Sequence, residues 1–132
     1  MAERSKESNL FFLLVVGLLA WVVPGAGHYV LGERRRSIII FVTIVLTFCT
    51  GIYIGSIGVI DLAGAKPWYL AQIMNSPMVA ALERLTADGT YPVYGRPNEI
   101  GQIYTSIAGL LNLLCIVNAV YLAHLRGIGA RG

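Results

Sequence analysis

An all-α integral membrane protein is the fold class this sequence predicts, with three transmembrane helices and a structured, partly helical loop between the second and third. Three observations lead there. Of 132 residues, 56% are hydrophobic and only 13% are charged, with a mean hydropathy of +0.68, which is too apolar for a water-soluble domain of this size. The charges lie outside three long apolar runs. Each run, coiled as a helix, is long enough to cross the hydrocarbon of a bilayer. The chain therefore reads as a single membrane domain, 1–132, with spans at about 10–31, 37–60 and 101–123 and an extramembrane loop over 61–100.

The first span follows a short polar tail, MAERSKESN. Leu10 to Val23 is a run of fourteen residues without a charge. This arrangement also fits a signal peptide, but the small residues after the run put Pro24 or Gly25 at the minus-three position of a cleavage site, so a span is preferred. Continuing through Tyr29, Val30 and Leu31 gives about 33 Å of helix. Pro24, Gly25 and Gly27 break it: proline lacks an amide hydrogen and clashes with the preceding turn, and the glycines release the backbone. Carbonyls near Ala20 then lose their partners, which is tolerable only at an interface or against other protein. The break marks a membrane boundary or a packed site.

Ser37 to Ile60 is a second uncharged run, about 36 Å as a helix. In the segment that follows, Pro67 suits a first helical turn, and Trp68, Leu70, Ile73 and Met74 give one apolar face, which predicts an interfacial helix. Ser76 then caps and Pro77 opens a second helix, with Met78, Ala81, Leu82 and Leu85 on one face until Asp88 and Gly89. Trp68, Tyr69, Tyr91 and Tyr94 suit the headgroup belt or a partner-binding cap. Gly101 to Ala123 is the third span, with Pro97, Asn98 and Glu99 at its start.

Three crossings place the termini on opposite sides. Arg34, Arg35, Arg36, Arg126 and Arg131 then share one side, while Arg4, Lys6, Lys66, Arg84 and Arg96 share the other, a tie of five each. The density of the arginine cluster beside a span favours its being cytoplasmic, with the N-terminus outside and the C-terminus inside. On that side Arg34 to Arg36 would meet anionic lipid headgroups. A net charge of +3, located at span ends, gives no reason to expect nucleic acid.

Small residues recur every four positions in two spans, at Thr43, Thr47, Gly51 and Gly55 and again at Gly101, Thr105 and Gly109. Such stripes let helix backbones approach closely. Equal depths pair Gly51 with Gly109 and Gly55 with Thr105 in an antiparallel contact, or else one stripe faces another copy. The pairing also brings Asn112 to Thr47, predicting a hydrogen bond between them.

The spans contain no Asp, Glu, Lys or Arg, so the groups that mark proton relays and ion coupling are missing from them. Ser37, Ser56 and Ser106 have no His or Lys at helical spacing, which argues against an enzyme. Cys49 and Cys115, inside apolar runs and without a CxxC, read as buried free thiols with no metal to hold. His28 and His124 fall on one side at similar depth and are candidate axial ligands for a haem or pigment. A hydrogen-bonding role at the interface is the more ordinary use of such residues, and no cofactor is required.

The run Pro24-Gly25-Ala26-Gly27-His28-Tyr29-Val30-Leu31-Gly32 followed by arginines resembles the Pro-Gly-x-Gly-His-x-Tyr-x-Gly type motif of small bacterial membrane proteins of unknown function. It is also similar to the turn of the two-transmembrane (TM-two) domain family, although Val30 takes a place often held by Tyr. That resemblance covers residues 10 to about 60 and implies a cytoplasmic turn between two spans in a bacterial inner membrane, with no activity attached. Ile100 to Tyr121 resembles the last span of the uncharacterised bacterial group.

Together these features lead us to expect an accessory or structural membrane protein working through helix packing, as a minor subunit of a larger complex or as a homo-oligomer. A channel or transporter component, lined by Thr43, Thr47, Asn112 and Asn118 from several copies, is the alternative. A haem- or pigment-binding subunit is the third.

Overall fold

The computed structural model describes residues 2–56, 60, 66–86 and 96–129. They form helices α1 (Ala2–Val22), α2 (Ala26–Val30), α3 (Arg34–Gly55), α4 (Lys66–Ile73), α5 (Met78–Thr86) and α6 (Arg96–Gly129). No strand occurs among the described residues.

The local chemistry of the 23–33 segment decides the architecture. Gly25 adopts φ 85°, and a Cβ there would lie 2.6 Å from the Ser37 carbonyl oxygen, so the turn requires glycine. The Ser37 hydroxyl donates to the Gly25 carbonyl at 2.8 Å and fixes the turn against α3. One turn later α2 ends in a Schellman motif. Gly32, at φ 83°, donates to the Tyr29 carbonyl at 3.0 Å, and Glu33 donates to the His28 carbonyl at 2.9 Å. Two left-handed glycines within eight residues let the chain reverse and then start again as α3.

Helix α6, of 34 residues, is the spine. Helix α3 packs antiparallel along it: Gly51 faces Gly101 and Thr105, while Glu33, just before α3, pairs with Arg126. Helix α1 also runs antiparallel to α6, but only along its C-terminal half. Asn9 lies beside Gly127, Gly17 beside Val120, and Ala20 beside Asn112. After the turn α2 heads back the same way, with Gly27 against Ala119 and His28 against Asn118. Helix α4 lies along the N-terminal half of α6 in parallel: Trp68 meets Ser106, Ala71 meets Gly109 and Asn75 meets Asn112. The C-terminal ends of α1 and α4 thus approach each other from opposite ends of the molecule and meet halfway along α6.

The first expected span is built differently. Among the described residues two helices have the length and apolarity to cross a membrane, Arg34–Gly55 and Glu99–Gly129. The expected first span over 10–31 is instead a helix that stops at Val22 and a short return, and residues 9 and 127 share one end of the molecule. Proline and glycine permitted either a kink or a reversal, and the contacts with α6 select the reversal.

The interior is built of small side chains, with Val16, Ala20, Leu31, Ala119 and Ala123 forming the main cluster. Large apolar residues point outward, among them Phe11, Leu18, Ile38, Leu46, Leu114 and Val117, each 57% or more exposed. A soluble core has the opposite distribution, and an apolar exterior this continuous requires an apolar surrounding or a partner.

Candidate functional site: a polar junction between two helix ends

A helix leaves its last four carbonyls without intrahelical donors. Here α1 and α4 end against each other, so two such sets meet among apolar side chains. Donors come from side chains. Asn112, fully buried on α6, donates from Nδ2 toward the Asn75 carbonyl at 2.7 Å, the Met74 carbonyl at 3.0 Å and the Ala20 carbonyl at 3.4 Å. Trp21 Nε1 donates to the Ile73 carbonyl at 3.0 Å, and Ser76 Oγ donates to the Val22 carbonyl at 2.9 Å. Each helix end therefore carries a donor for the other. The negative ends of two macrodipoles, roughly half a charge each, lie side by side, and these N–H and O–H groups offset their repulsion.

The polar line continues along α4. Gln72, fully buried, donates from Nε2 to Thr105 Oγ1 at 2.8 Å, and Thr105 donates in turn to the Gly101 carbonyl at 2.9 Å. Ser106 Oγ donates to the Trp68 carbonyl at 3.3 Å. Gly109 allows α4 to come this close, because a Cβ on it would overlap the Ala71 carbonyl. Among the described residues no donor reaches Asn75 Oδ1 or Asn112 Oδ1.

A second set of contacts holds α2. His28, 1% exposed, places Nε2 3.0 Å from Asn118 Oδ1 and so donates to it. Arg126 donates to the Leu31 carbonyl and to Glu33 Oε1, the latter at 2.9 Å. The ion pair is half exposed and contributes little by itself, but its geometry ties the end of α2 to α6.

Several sequence expectations change here. Asn112 does not bond Thr47, because Thr47 Oγ1 donates to the Thr43 carbonyl of its own helix at 2.8 Å. The stripe on α3 splits: Gly51 and Gly55 are buried, Thr47 is half-buried and Thr43 faces outward. Its register on α6 is one to two turns from the equal-depth estimate. Gly51 faces Thr105 and Gly101, while Gly109 faces α4. Cys49 is exposed and Cys115 only half-buried, so neither is the buried thiol expected. Tyr69 is buried with Ile60 and Val79 rather than placed in a headgroup belt, whereas Trp68 is exposed. Tyr91 and Tyr94 lie outside the described residues. His124 is exposed and lines a shallow groove with Lys6 and Asn9, whereas His28 is buried with Nε2 on Asn118. Of the residues considered for a pore lining, Thr43 and Asn118 are exposed, Thr47 is half-buried and Asn112 is buried. Arg34, Arg35 and Arg36 are exposed at the first turn of α3, with the Arg34 guanidinium 5.7 Å from the Tyr29 ring centroid.

Gln72, Asn75 and Trp21 were not singled out as site residues from the sequence. The available signal was Gln72 and Asn75 three residues apart in an otherwise apolar stretch, the mark of a helix buried against polar partners. Among the described residues no group of three or more His, Cys, Asp or Glu could hold a metal ion.

The fold and junction define a class: a small all-α chain built on two antiparallel helices of membrane-crossing length, with two further helices meeting end to end along the longer one. The chain belongs to the family of unknown function DUF6677, whose model matches residues 15–128. That range contains the whole junction. No curated protein and no solved structure matches the chain.

Proposed function

We propose that this chain is a structural or accessory integral membrane protein that works through helix packing, as a subunit of a larger membrane assembly or as a homo-oligomer. In this reading α3 and α6 cross the bilayer, and the α1–α2 and α4–α5 pairs enter from opposite faces and return. The observation that carries it is the junction at Asn112. Irregular backbone at membrane depth persists only where it is buried in protein, and here side chains of the same chain occupy the carbonyls at the ends of α1 and α4.

Charge supports the topology. With α1 and α2 returning to one side, that side carries Arg4, Lys6, Arg34, Arg35, Arg36 and Arg126, six described basic residues against three (Lys66, Arg84 and Arg96) in the segment joining α3 to α6. The tie reached with three crossings becomes a clear excess, which supports residues 2–9 and 124–129 lying together on the cytoplasmic side. The buried donors of Asn112, Trp21, Ser76, Ser106 and Thr105 are spent on backbone carbonyls, which favours packing over turnover. Extraction in mild detergent followed by native electrophoresis tests the functional reading. A band containing several chains, of this or other proteins, is expected. A stable monomer without companions at every mild detergent tried contradicts it.

A further inference from the structure

Because α1 stops at Val22 and α2 has only five residues, part of the α3 surface has no helix laid over it. Two apolar grooves occupy that place. One, of about 380 Å³, runs between Tyr29, Val30 and the α3 residues Ile38 and Phe41. The other, of about 280 Å³, runs between Phe41, Val45 and Phe48 on α3 and Met78 and Leu82 on α5. Both are bounded by Val23, Pro24 and Phe41, so they adjoin end to end along α3. From Ser37 to Phe48 the pair rises about 16 Å, close to half the roughly 30 Å hydrocarbon thickness of a bilayer. It is as deep as one leaflet.

The two ends differ in chemistry. At the shallow end Tyr29 lines the groove and carries the Arg34 guanidinium over its ring, with Arg35 and Arg36 exposed beside it. The acid of this turn, Glu33, is engaged by Arg126 and leaves the cluster cationic. At the deep end the walls are apolar apart from Asn75 and Ser76. A cationic mouth on a leaflet-deep apolar groove is complementary to one molecule that is anionic at its head and aliphatic along its length.

We propose that this groove is a binding site for an anionic phospholipid, with the phosphate on Arg34, Arg35 and Arg36 and one acyl chain along Phe41, Val45 and Phe48. The site rests on the membrane reading above and adds a defined ligand to it. It differs from the lipid surrounding any membrane protein in having one location and a charge preference.

The test uses the purified full chain in detergent with a phosphatidylglycerol carrying a photoactivatable diazirine in its acyl chain, and the phosphatidylcholine analogue with the same chains. Adducts are mapped by peptide mass spectrometry. Labelling by phosphatidylglycerol is expected at Phe41, Val45, Phe48 and Met78 at least tenfold above the outward α6 residues Ile107 and Leu114. The phosphatidylcholine analogue should label these positions several-fold less. Changing all three arginines to glutamine lowers retention of the anionic lipid by roughly fivefold per arginine. Val45→Trp fills the groove and removes the acyl adducts while leaving the arginines in place. An unchanged far-ultraviolet circular dichroism spectrum and SDS-unfolding midpoint in each variant confirm that the fold persists. Labelling spread evenly over α3 and α6, equal labelling by the two lipids, or adducts undiminished in Val45→Trp each overturn the site. So does cross-linking of Phe41 to a second copy, which would assign the groove to self-association. Alkaline carbonate washing of membranes separates the two levels of failure: a released chain defeats the membrane reading, and a retained chain with even labelling defeats the groove alone.

Discussion

Replacing Asn112 by leucine removes the side chain on which both helix ends converge. The carboxamide has two hydrogens, directed to the Asn75 carbonyl at 2.7 Å and the Met74 carbonyl at 3.0 Å, with the Ala20 carbonyl farther off at 3.4 Å. Leucine is of similar size and leaves at least two buried carbonyls without donors. Each costs about 1–3 kcal/mol when no water reaches it. Hydrogen bonds between transmembrane helices average only about 0.6 kcal/mol, because the unfolded chain in a membrane also finds partners. The helix-end carbonyls belong nearer the upper figure, because the buried junction offers them no replacement donor, and the expected loss is about 3 kcal/mol. Asn112→Asp sharpens the test, since it preserves shape and exchanges the donor for an acceptor beside three carbonyls, and should cost at least as much. Unfolding by SDS in mixed micelles, followed by the fluorescence of Trp21 and Trp68, measures both variants, and Trp21 reports on the junction directly through its bond to Ile73. A loss below about 0.5 kcal/mol in both refutes the capping argument, because it would mean that the two helix ends do not depend on Asn112.

Three further substitutions separate other contributions in the same assay. Gly51→Ala puts a Cβ 2.7 Å from Thr105 Cγ2 and 2.9 Å from the Gly101 carbonyl oxygen, so α3 must move off α6 at a cost of about 2 kcal/mol. Gly32→Ala meets nothing within 4 Å and costs only the left-handed backbone, about 1 kcal/mol; equal losses at the two positions would refute the close-approach account. Trp21→Phe, followed through Trp68 alone, retains the ring packing but removes the donor to the Ile73 carbonyl, with an expected loss of about 1–2 kcal/mol and no change in oligomeric state.

Helices α3 and most of α6 were legible because uncharged runs of that length admit few alternatives. The break at Pro24 to Gly27 was equally plain, as was the antiparallel approach through Gly51. Whether the chain kinks or reverses at the break was not legible. Both outcomes satisfy proline and glycine, and the choice depends on Asn112 and Asn118, about ninety residues away. The register between α3 and α6 was misjudged because equal helix depths were assumed, whereas α6 extends from Arg96 to Gly129 and also accommodates α4. Helix α4 was read as interfacial from the apolar face of Trp68, Leu70, Ile73 and Met74. Gln72 and Asn75 pointed the other way, and their burial needs partners on α6 that the local pattern does not contain.

The central claim is that α1 enters and returns, so that residues near 8 and 128 lie on one side of the membrane. Single cysteines placed at Ser8 and Ile128, in a chain with Cys49 and Cys115 replaced, test it through labelling by a membrane-impermeant maleimide in right-side-out and inverted vesicles. The account predicts that both label in inverted vesicles and that neither labels in right-side-out vesicles. Labelling of the two positions from opposite sides would contradict it and restore three crossings.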